Sequence, residues 1–106
     1  MTTFDKRKNE EEARYKRDEE QKFKVTARRN RLLGLWAAEQ LGIQGAAAEA
    51  YAKEVVAADF DRPGDSDVVE KVLKDFAVKG IAMDEHRLRK EMTRLTDVAR
   101  QQVMTD

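Results

Sequence analysis

The chain has no cysteine, one histidine and one proline among its 106 residues. Without cysteine there are no disulfides and no thiolate metal ligands, which suits a reducing compartment. One histidine, His86, leaves no cluster of soft or imidazole ligands for a transition metal. His86 has only Asp84 and Glu85 beside it and reads as a solvated residue near a helix start. The five glycines are dispersed, at 34, 42, 45, 64 and 80, and no GxxxxGK[ST] loop is present to cradle phosphates. No apolar run approaches the roughly 18 residues of a membrane span. No hydrophobic signal-peptide core stands at the N-terminus. The expectation from these absences is a non-enzymatic cytoplasmic protein with no metal, no resident cofactor and no membrane insertion.

Charge is plentiful instead: Lys, Arg, Asp and Glu make up 40% of the chain, against roughly 25% in an average soluble domain. The formal total is zero but the distribution is uneven. Residues 1–31 hold 11 Lys/Arg and 7 Asp/Glu, or +4, and residues 32–106 hold 10 against 14, or −4. A zero total argues against a general nucleic-acid binder, which is usually strongly basic. Arg28, Arg29 and Arg31 could still contact phosphates, but no interleaved aromatics support a nucleic-acid surface.

The first 31 residues contain neither Pro nor Gly, and good helix formers dominate them. Their apolar surface is too small to offset the entropy of ordering them alone. A charged arm follows, largely mobile when free and ordered by whatever it binds. On an ideal helix Phe4 and Tyr15, eleven residues apart, lie about 20° from each other. Arg7, Glu11, Arg14 and Asp18 surround them, making a slim amphipathic stripe of the kind that docks in a groove. Phe23 is rotated about 80° away from this stripe.

Beyond the arm the pattern is helical throughout. Leu32, Leu33, Leu35, Trp36, Ala37 and Leu41 form a broad apolar face over 27–41, with Gly34 inside it at a cost of about 1 kcal/mol relative to Ala. Gly42–Gly45 breaks this helix. A second helix is expected over 46–58, with Ala47, Tyr51, Val55 and Ala58 as its buried face. Trp36 and Tyr51 read as core residues.

Pro63-Gly64 marks a turn. A third helix starts near Asp67, with Ser66 or Asp67 as N-cap and Glu70 completing a capping-box-like pair. Its stripe is Val69, Val72, Leu73 and Phe76, and Gly80 ends it. Asp84 caps a fourth helix that runs to about Met104 with Leu88, Met92, Leu95, Val98, Ala99 and Val103 on one face. Ile81 and Met83 are placed to act as a staple before it. Asp61, Asp65 and Asp67 faintly suggest a calcium loop, but the Gly and the closing Glu are out of place, so they read as caps and turn residues. The fold expected is all-α: a small four-helix bundle over 21–106 with a charged arm over 1–20.

Three ordered stretches carry a family resemblance. Arg28–Glu39 (RRNRLLGLWAAE), Ala50–Phe60 (AYAKEVVAADF) and Pro63-Gly64-Asp65 closely resemble the zeta subunit of alphaproteobacterial F-type ATP synthases. The likeness extends to Met1–Asp5 and Ala99–Met104. It implies a small four-helix regulatory protein, monomeric when free and peripheral to the inner-membrane ATP synthase. It further implies that the N-terminal arm enters a catalytic interface between alpha and beta subunits, reaches toward gamma and blocks rotation in the hydrolytic direction. Carried onto this chain, the contact residues are Thr3, Phe4, Asp5, Arg7, Glu11, Arg14, Tyr15 and Asp18.

The family arm often has aromatic or aliphatic side chains where Glu10, Glu11 and Gln21 stand here, and histidine where Arg17 stands. A weaker plug is therefore expected. The alternatives are a non-inhibitory helical module that senses ATP or ADP through Arg28, Arg29 and Arg31, and a nucleic-acid-binding bundle.

Overall fold

The computed structural model describes the backbone of residues 3–59 and 64–106, and side chains from Asp18 onward within those ranges. Four helices follow one another: α1 (Thr3–Gln40), α2 (Ala46–Ala58), α3 (Ser66–Val78) and α4 (Glu85–Thr105). The all-α four-helix expectation holds. The expected mobility of the arm and its Phe4–Tyr15 stripe fall outside the described side chains.

Helix α1 forms the spine. It packs extensively against α2 and α4, whereas α3 makes smaller contacts with α2 and α4. The core is one apolar cluster in which Leu33, Val55, Val68, Val72, Phe76 and Leu88 are essentially inaccessible to water. Trp36 lines its edge, half-buried, with its ring 6.1 Å from that of Phe76. Trp36 thus meets Phe76 in the core.

The ends of α1 and α3 share one solution. At Gly80, with φ of +72°, the chain enters the left-handed region that a residue with a Cβ resists. Ile81 N–H then donates to Phe76 C=O at 2.9 Å and Gly80 N–H to Ala77 C=O at 3.0 Å. This crossed pair satisfies carbonyls that the helix leaves open and turns Ile81 back onto the core. Gly42 does the same for α1, with Ile43 N–H donating to Ala38 C=O at 2.8 Å.

Two sequence expectations need correction. Ala47 is exposed, and the inner face of α2 is Ala48, Tyr51, Ala52 and Val55, with Ala58 half-buried. The N-cap of α3 is Asp65, not Ser66 or Asp67, and its side chain makes no capping hydrogen bond. Its carboxylate is taken by Arg29, so the local cap is given up for a tertiary contact.

Asp84 does cap α4, accepting from Arg87 N–H at 2.7 Å. Asp84→Ala is expected to lower stability by about 1 kcal/mol, read as a reduced urea midpoint with unchanged m-value. A loss below about 0.3 kcal/mol would mean that the Met83 side, rather than the carboxylate, fixes the start of α4.

Candidate functional site

The basic run Arg28–Arg31 lies on α1 where its side chains become buried. From Asp18 to Lys24 every side chain is exposed, and burial begins at Val25. The three arginines then fan out to three different partners. Arg28 donates to Gln102 Oε1 at 3.0 Å and forms an ion pair with Asp106, tying α1 to the end of α4. Arg31 holds both carboxylate oxygens of Glu49 on α2, at 3.0 and 3.2 Å. Arg29 reaches Asp65 through two nitrogens, at 2.8 and 3.3 Å, and donates to Asn30 Oδ1 at 2.9 and 3.1 Å.

These contacts are not equal in energy. The Arg28 and Arg31 pairs are open to solvent and contribute little each. Arg29 is 8% exposed and Asn30 1%. A buried guanidinium loses its hydration, so its hydrogen bonds must be kept. Burial raises the Asp59 carboxyl above the usual carboxylate range, against the hydrogen bond from Asn30 and the nearby Arg29 charge. The Arg29–Asn30 pair therefore pins the residues flanking the turn between α2 and α3 onto α1. Together the arginines tie α1 to α2, to the end of α4 and to Asp65 at the start of α3.

Arg28, Arg29 and Arg31 each face a carboxylate of their own chain, and they do not converge on one point. Asp18 stands exposed on α1 at the neck. Thr3, Phe4, Asp5, Arg7, Glu11, Arg14 and Tyr15 lie where side chains are not described. His86 is exposed. Among the described residues no group of three or more His, Cys, Asp or Glu is placed to hold a metal. No helix among them is long and apolar enough to cross a membrane.

A second polar cluster locks α2 to α3. Tyr51 O–H donates to Asp75 at 2.8 Å, while Lys71 bridges Asp75 and Glu54, each at 3.2 Å, and lies 5.1 Å from the centre of the Tyr51 ring. Burial, with the Asp75 hydrogen bond and charge, keeps the Tyr51 phenol protonated far beyond its ordinary range. Burial alone would lower the Lys71 ammonium, but the carboxylates outweigh it and raise it. All groups are satisfied internally, which marks the cluster as a structural joint.

Two open grooves of similar size lie among the described residues. One, of about 570 Å³, lies at the neck between Asp18–Thr26 of α1 and Thr96–Met104 of α4, with Val25, Val103 and the exposed Met104 as its apolar part. The other, of about 540 Å³, lies between Trp36 and the start of α4, lined by Met83, Arg87, Lys90 and Arg94. Sequence reasoning missed this second groove. Its signal is the spacing of the three cations, which at i, i+3 and i+7 share one face of α4.

Comparison with known proteins follows the same outline. Residues 1–102 match the family described as ATPase inhibitor subunit zeta. A protein solved by solution NMR is 48% identical, with a TM-score of 0.70, over 78% of this chain and 94% of that one. No curated protein matches.

Proposed function

The chain belongs to the ATPase inhibitor subunit zeta family, and on that premise we propose that it restrains ATP hydrolysis by the F-type ATP synthase by inserting its N-terminal arm into a catalytic alpha/beta interface. The observation that carries this reading is α1 itself. One unbroken helix runs from Thr3 to Gln40, locked into the bundle by its second half, with exposed side chains from Lys24 back to Asp18. At 1.5 Å per residue, about 20 residues of helix span roughly 30 Å, enough to enter a deep cleft while the bundle stays outside. The division into an arm over 1–20 and a bundle over 21–106 follows from this reading.

In this scheme Thr3, Phe4, Asp5, Arg7, Glu11, Arg14, Tyr15 and Asp18 meet the alpha, beta and gamma subunits. Phe4 and Tyr15 supply the apolar anchors, and the charges supply register. An inserted arm stabilises the catalytic state that accommodates it, and so opposes rotation out of that state. The protein is held at the inner-membrane ATP synthase by protein contacts alone. With Arg28, Arg29 and Arg31 engaged internally, their role here is to aim the arm, and a nucleotide-sensing use of them has no supporting geometry.

The test is hydrolysis by the isolated native ATPase sector. Deleting residues 1–18 should abolish inhibition, and Tyr15→Ala should weaken it by on the order of 2 kcal/mol, about thirtyfold in the inhibitory concentration. Equal inhibition by intact and truncated chains would show that the bundle, not the arm, acts.

A further inference from the structure

The groove beside Trp36 has features that neither the core nor the arm explains. Arg87, Lys90 and Arg94 stand along one face of α4, and all three are exposed. Seven residues separate the first from the last, so the ladder is about 10 Å long. Arg94 is engaged by Glu91, its Nε donating at 2.9 Å. Among the described residues no carboxylate lies within ion-pair distance of Arg87 or Lys90. Arg87 moreover occupies the first turn of α4, where the helix dipole disfavours a cation. A choice that runs against local preference and gains no ion-pair partner among the described residues is what a binding surface looks like. Beneath the cations lie the half-buried rings of Trp36 and the thioether of Met83.

We infer that this groove is a docking surface for an acidic amphipathic helix of a partner protein, which places an apolar side chain against Trp36 and Met83 and its carboxylates along Arg87 and Lys90. The shape of the charge distribution selects this occupant. A phosphate group wants donors converging on one point, whereas these cations are strung along a line at helical spacing, with Glu91 among them. Carboxylates three or four residues apart on a facing helix match such a ladder. An aromatic flanked by cations is also the composition that anchors interfaces. The groove is about 27 Å along α1 from Asp18, so it is separate from the arm and its occupancy does not depend on how the arm works.

Trp36 is the one tryptophan of the chain, and its fluorescence therefore reports on the groove directly. The full-length protein is titrated with a synthetic helical peptide bearing Glu at i and i+4 and a Leu between them, and with the same peptide carrying Gln for Glu. The expected result is a saturable change in Trp36 emission with the Glu peptide that weakens as salt rises. Binding should fall at least about tenfold in Arg87→Glu/Lys90→Glu, the loss of two charge pairs. Glu at 87 suits the helix start, so the variant should keep its melting curve; if it does not, Arg87→Gln/Lys90→Gln makes the same test by neutralisation. No saturable response to the Glu peptide, an equal response to the Gln peptide, or an equal response to inorganic phosphate or ATP would each overturn the inference.

Discussion

Phe76→Ala should remove about 3–5 kcal/mol of stability, the largest loss expected from a single truncation in this chain. Phe76 is 1% exposed, and it is the largest side chain so fully enclosed. It sits on the helix with the least extensive packing, α3, and meets Trp36 on α1 at 6.1 Å. Its own C=O also closes the end of α3 by accepting from Ile81 N–H. Removing the ring opens a cavity that α3 can close only by sliding along α1. A domain of this size holds about 4–12 kcal/mol in all. The thermal midpoint should therefore drop by at least about 12 °C. Near-ultraviolet dichroism of Trp36 should weaken with it, since one wall of its environment disappears. A loss below about 1.5 kcal/mol would show that α3 collapses onto α1 and fills the space.

Phe76 is also a residue that sequence periodicity identifies directly, and the contrast with α2 shows why. Helix α4 places Leu88, Met92, Leu95 and Ala99 inside, and on that helix the polar face is so charged that only one stripe is possible. Helix α2 reads AAAEAYAKEVVAA. With alanine at most positions, a stripe of small residues can be drawn on several faces. The face that includes Ala47 is as regular as the true one, through Ala48 and Ala52. What decides between them is not in α2: it is Gly34 on α1, against which Ala52 and Val55 pack.

The environment of the arginine run is hidden for a related reason. Arg28–Arg31 is a polar run whose arginines could contact phosphates, yet Arg29 and Asn30 are buried. Each lies four residues before an inward-facing position, Leu33 or Gly34, so helical spacing does carry the signal. The partner, Asp65, is 36 residues away, and no local pattern connects the two. That same pairing takes the Asp65 carboxylate, so the N-cap residue of α3 makes no side-chain capping bond. The helices are thus legible in the sequence, whereas the Arg29–Asp65 joint that ties α1 to the start of α3 appears only once the chain is folded.

That joint depends on how closely α1 and α2 approach, and Gly34 sets the distance. A Cβ built on Gly34 would lie 2.5 Å from Ala52 Cα, 3.1 Å from Ala52 Cβ and 3.3 Å from Val55 Cγ2. The first contact is with backbone, so no rotamer change relieves it, and the helices must separate. Gly34→Ala gains about 1 kcal/mol of helix propensity and should nevertheless destabilise the fold, by a net of about 1–2 kcal/mol, with Gly34→Val near 3 kcal/mol. Adding Ala52→Gly gives a sharper test through a double-mutant cycle. It removes the contact at 3.1 Å but leaves the one at 2.5 Å, so stability should not return. Full rescue would mean that side chains, not backbones, set the spacing. Prying α2 away from α1 also strains the Arg31–Glu49 pair and moves the turn that Arg29 holds. Gly34→Ala should therefore weaken inhibition of ATP hydrolysis although residue 34 is far along α1 from the arm. If Gly34→Ala lowers stability but inhibits as the wild type does, the arm's direction is set by its host rather than by the bundle.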